Sequence, residues 1–140
     1  MTRKLGLSVL EKAVYTRLTT HASTNSYSTY GYVPKNVSFP FISMQGFSGI
    51  VSPMFDNRDT EAEANYFEIH VWSDYRGNKE ALDMQNNIIQ ALTGSSLSIT
   101  GYQTPFDLEL DYSDIFIDDT DEDKIKRHGV MRFRVEMAPS

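Results

Sequence analysis

The sequence predicts an α+β fold: a mainly antiparallel β-sheet with two helices packed on one face and a long hairpin arm. Three observations lead there. Two segments repeat apolar residues at helical spacing, and five alternate apolar with polar residues or carry short strand-like apolar runs. These segments follow one another as α, β, β, α, β, β, β. The third observation is length: 140 residues make a single domain, 1–140, with a core large enough to stand without disulfide or metal staples.

The first helix is expected over residues 8–20. Ser8 and Glu11 have the spacing of a capping box, and Leu10, Val14 and Leu18 form an apolar stripe. Residues 20–38, rich in Ser, Thr and Asn with Tyr27, Tyr30 and Tyr32, read as a loop. A strand covers 39–44, with Pro40 at its entrance, where a missing N–H costs least. Residues 46–64 carry Phe47, Ile50, Val51, Met54 and Phe55, too much apolar surface for an ordinary connection. They are expected to form a long hairpin with an exposed tip, which makes them the first candidate for contact with a partner.

Residues 66–73 alternate, with Phe67, Ile69 and Val71 on one side and Tyr66, Glu68, His70 and Trp72 on the other. A polar turn, Ser73-Asp74-Tyr75-Arg76-Gly77-Asn78, leads into a second helix over 78–93. Asn78 is its expected N-cap, Gly94 its C′ residue, and Ala81, Met84, Ile88, Ala91 and Leu92 its buried stripe. A short strand is expected over 97–100. In the next one Phe106, Leu108, Leu110 and Tyr112 alternate with Asp107, Glu109 and Asp111. Ile115 and Ile117 then take the other parity, so a bulge is expected near Ser113-Asp114. The last strand, 129–137, turns Met131, Phe133, Val135 and Met137 inward.

Composition narrows the function. Net charge is −6, which argues against a surface that grips nucleic acid through its phosphates. Cysteine is absent, which excludes disulfides and thiolate chemistry. No apolar run approaches the ~20 residues of a membrane span, and no secretory signal is expected. Nine of the 19 acidic residues lie between Asp107 and Asp123. Glu109 and Asp111 are expected opposite Arg134 and Arg132 across a hairpin. The run from Asp119 to Asp123 starts like a calcium loop, but Lys124 replaces the turn glycine and Val130 the bidentate Glu. His21, His70 and His128 are scattered and match no zinc pattern. Glu68, His70 and Arg76 are the residues a small enzyme would use, yet no nucleophile motif accompanies them. The turn at 73–78 lacks the glycine pattern of a phosphate cradle. Nothing in these patterns argues for an enzyme, a cofactor or a metal.

Four stretches carry a resemblance when read in order: Phe39-Pro40-Phe41-Ile42; His70-Val71-Trp72-Ser73 with Tyr75-Arg76-Gly77 and Glu80; Leu97-Ser98-Ile99-Thr100-Gly101; and residues 127–134. Together they resemble the tail-completion proteins of long-tailed, non-contractile bacteriophages, also called tail terminators or tail-to-head joining proteins. The resemblance implies a structural virion protein, assembled in the host cytoplasm, that caps the head-proximal end of the tail. It implies a ring, a hexamer, that stops growth of the major tail tube protein and meets a head–tail connector protein while DNA passes through the bore. On this reading Phe47, Ile50, Val51, Met54, Phe55 and Arg58 clasp a neighbour or the tube. Trp72, Tyr75 and Arg76 anchor the strand–helix joint or a subunit contact. Asp118, Asp119, Asp121, Glu122 and Asp123 line the bore and repel DNA phosphates. The alternative from the same setting is a head-side connector or neck protein.

Overall fold

The computed structural model describes residues 6–53, 61–94, 96–103, 108–118 and 125–139. Chain order is α1 (Leu7–Thr20), β1 (Ser28–Tyr30), β2 (Phe41–Pro53), β3 (Glu61–Ser73), α2 (Lys79–Thr93), β4 (Tyr102–Gln103), β5 (Glu109–Asp118) and β6 (Lys126–Pro139). The sheet runs β1-β2-β3-β6, and the far side of β6 is shared by β5 along most of its length and by β4 at its end. All pairings are antiparallel except β1 with β2. No helix among the described residues is long and apolar enough to cross a membrane.

Strand alternation sorts the side chains. Phe67, Ile69 and Val71 of β3 and Met131, Phe133 and Val135 of β6 turn to one face. There they meet Leu10, Val14 and Leu18 of α1 and Ala81, Met84 and Ile88 of α2 in one core cluster. Phe47, Phe67 and Phe133 stack in series, with centroids 5.4 Å apart at each step. The two helices thus cover one face of the sheet, as the apolar stripes predict.

Several local expectations are corrected. The Ser8–Glu11 capping box does not form: α1 begins at Leu7, and its N-cap is Gly6, with no cap from its own side chain. The Gly6 N–H instead donates to both carboxylate oxygens of Glu63, at 3.0 and 3.1 Å. A residue of β3 thereby does what the third residue of a capping box does locally. The expected loop at 20–38 holds β1. The expected strand at 97–100 is not a strand. Leu97 and Ile99 are buried in an irregular segment beside α1, and Arg17 spans to it by donating to Ala91 O and Ser96 O, both at 2.8 Å. Gly94 ends α2 with φ −71° rather than in the left-handed region.

Phase changes in the strands have visible causes. In β2, Gly46 at φ 69° allows a bulge between Gln45 and Ser48, which turns Phe47 onto Phe67. In β5 the bulge lies between Leu110 and Tyr112, earlier than the expected Ser113-Asp114, so Asp111 is the extra residue. Leu110 pairs with Phe133 before it and Tyr112 with Arg132 after it. Glu109 does stand opposite Arg134. Asp111 reaches Arg132 at 3.9 Å, whereas Arg134 bonds Glu136 at 2.6 Å.

Candidate functional site

The helices leave the other face of the sheet open, and the register places an aromatic row across it. Phe41, Trp72, His128 and Phe116 are cross-strand neighbours on β2, β3, β6 and β5. Trp72 lies at the centre. It stacks on His128 at 3.8 Å and on Phe41 at 6.1 Å. Phe116 approaches His128 at 6.2 Å, and Tyr30 closes on Phe41 edge-on at 5.9 Å. Phe39 packs on Phe41 at 5.2 Å and carries the Lys126 ammonium 4.9 Å over its ring.

One row further along the strands sits a polar cluster. His70 is buried although it lies on the helix-free face. Its Nδ1 is 2.6 Å from His128 Nε2, a distance at which one ring donates N–H to the other. Its Nε2 is 2.9 Å from Glu68 Oε1 and 2.6 Å from the Gln45 amide nitrogen. The sequence places Glu68 and His70 together but treats the histidines as scattered. The β3–β6 register, which pairs Trp72 with His128, is what brings His128 to His70. Gln45 was not anticipated either, because its position depends on β2 pairing with β3 before the bulge.

This arrangement is a closed cluster of protein side chains. Both ring nitrogens of His70 are engaged by protein groups. Ser43, its cross-strand neighbour, shows no hydrogen bond to it. Among the described residues no group of three or more His, Asp and Glu side chains could hold a metal ion.

Further out on the same face charged residues are paired. The Arg132 guanidinium lies 4.6 Å over the Tyr66 ring. A hydrogen bond to Glu136, and then one to Tyr66, raises the pKa of the Arg134 guanidinium above its ordinary value. The Tyr112 hydroxyl donates to Asp114 Oδ2 at 2.9 Å, and that bond is the main cause holding its phenol above 10.0.

The turn at 74–78 is a clamped joint. Ser73 is fully buried, donates to Glu80 Oε1 at 2.6 Å and accepts the Tyr75 N–H at 3.1 Å. Arg127 of β6 donates to Asn78 Oδ1 at 2.8 Å and to Arg76 O at 2.9 Å. Asn78 is the N-cap residue of α2, but its side chain serves Arg127 rather than the helix. Tyr75 is half exposed and Arg76 exposed.

The predicted contact residues fall in three places. Phe47 is half-buried against the core. Ile50 and Val51 belong to the outer half of β2, paired with Ala64 and Glu63. Met54, Phe55 and Arg58 lie outside the described residues. Of the acidic group, Asp118 ends β5 opposite Lys126, and Asp119, Asp121, Glu122 and Asp123 lie outside the described residues.

The sequence pattern of the family described as tail completion protein gp17 matches residues 12–137. No curated protein matches the chain. Among solved structures, the fold is similar to that of a chain from the virion of a native gene transfer agent particle. The TM-score is 0.73 at 18% identity, covering 96% of this chain and 99% of that one. At that identity the likeness is one of fold.

Proposed function

The chain belongs to the tail completion protein gp17 family, and from that premise we propose that it closes the head-proximal end of a phage tail tube as a six-membered ring. The ring stops addition of the major tail tube protein, presents a surface to the head–tail connector and lets DNA pass through its bore. The role is structural and involves no turnover. The observation that carries this reading is the family match over residues 12–137, supported by the likeness in fold to a virion chain.

Within the ring, the outer part of the β2–β3 pair, with Phe47, Ile50, Val51, Met54, Phe55 and Arg58, holds a neighbour or the tube. Trp72, Tyr75 and Arg76 support a contact beside the clamped turn. Asp118, Asp119, Asp121, Glu122 and Asp123 form an acidic lining that phosphates slide past. A ring carrying these residues on its outer circumference would overturn the lining. For the function as a whole, tails made without this protein are expected to show tubes of uncontrolled length by electron microscopy. Tubes of normal length in that preparation overturn the proposal.

A further inference from the structure

Both outer edges of the sheet are long and open. On one side β1 covers β2 only from Phe41 to Ser43. From Met44 to Pro53 no strand lies alongside the outer edge of β2 among the described residues. On the other side β5 pairs with β6 from Glu109 to Asp118, and among the described residues no strand lies beyond it. In the middle of β5, Ile115 N–H donates to Asp114 Oδ1, and Gln85 of α2 donates to Asp114 O.

Proteins normally blunt an open edge with lysine, proline or shortness, because its free N–H and C=O groups recruit another strand. β5 carries a bulge at Asp111 and four acidic residues, but it has no lysine or proline, is 10 residues long, and exposes apolar side chains on both faces. Leu110 is 38% and Ile117 63% exposed on the helix side, Tyr112 49% and Phe116 46% on the other. These are four of the ten large apolar residues that stand exposed in the described chain, gathered on one edge strand.

We propose that the partner is β2 of a second copy of this chain, so that neighbouring sheets join edge to edge, head to tail. Three observations choose this occupant. Pairing β5 with β5 would set Glu109, Asp111 and Asp114 of two copies against each other, and like charges across strands are destabilising. β2 carries no charged residue from Phe41 to Pro53 and meets β5 without that penalty. The alternating directions of β2, β3, β6 and β5 leave β5 antiparallel to β2, so a copy added without inversion presents its β2 in the antiparallel sense. The open stretch from Met44 to Pro53 also matches β5 in length. A contact between two different surfaces of one chain propagates and closes into a ring when the rotation fits. The inference rests on the ring reading above and names the seam between its subunits.

The absence of native cysteine makes the test clean. Ser48→Cys on β2 and Tyr112→Cys on β5, both exposed and both on the helix-free face, are prepared singly and together. They are assembled on tube ends, sized by light scattering and treated with a short thiol-bridging reagent. The two single variants mixed should give one cross-linked dimer, the double variant a ladder up to ring size, and each single variant alone nothing. A single variant that bridges to itself overturns the head-to-tail seam. A full-mass ring from the double variant with no ladder overturns the seam and leaves the ring standing. Absence of any assembly overturns both. Independently, Ile117→Lys, at a residue exposed in the single chain, should abolish the ring while circular dichroism and Tm of the monomer stay unchanged. An intact Ile117→Lys ring overturns the proposal.

Discussion

Glu63 is 1% exposed, with both carboxylate oxygens on the Gly6 amide at the start of α1. The helix N-terminus carries partial positive charge, so a carboxylate there satisfies an orphan donor and complements the dipole. Glu63→Ala leaves that buried N–H unpaired. It should lower stability by about 1–3 kcal/mol in chemical denaturation, with Glu63→Gln losing less because its amide oxygen still accepts. The contact joins residues 57 apart. The sequence shows Ser8 and Glu11 at cap spacing, but it does not show that β3 delivers a carboxylate to the same place. His70 and His128 teach the same lesson. The residue types of the polar cluster are legible, but a separation of 58 positions hides their meeting until the β3–β6 register is known. Masking by distance, not weak chemistry, is why the cluster was half seen.

At the scale of elements, α2 lies on the sheet through Gln85 and the gap left by Gly129. A Cβ at Gly129 would stand 2.5 Å from Val71 Cγ2 and 2.8 Å from Gln85 Nε2. Gly129→Ala must therefore push α2 or β3 aside, and should cost about 1–3 kcal/mol, read as a lower Tm. The elements with strong periodicity were readable: both helices, the inward set of β3 and the inward set of β6. Those that failed share a cause. β1, three residues long, exists only because β2 offers an edge to it. The segment at 97–100 has strand-like alternation, yet Leu97 and Ile99 are buried beside α1, where no strand partner lies. The bulge in β5 sits at Asp111 because the fit to Phe133 and Arg132, not the pattern of β5 alone, decides where the phase changes. Short or irregular pieces take their form from neighbours, which a pattern along one segment does not contain.

The molecule as a whole is organised around β3 and β6, paired from Glu63↔Met137 to Ser73↔Arg127. Such non-local pairing carries a loop-closure cost before its contacts form, so refolding should fall in the ms–s range rather than the μs range. Stopped-flow fluorescence of Trp72, the only tryptophan and a neighbour of β6 through His128, checks this. Folding complete within tens of microseconds would contradict it. The same pairing has a consequence at the ribosome. β3 is made early and waits with one side empty until β6, the last strand of the sheet, emerges to fill it. A copy cut short by a premature stop lacks the strand on which β3, β4 and β5 all converge. It has no finished sheet. Synthesis order thereby leaves the sheet unfinished until the last stretch of the described chain has been made.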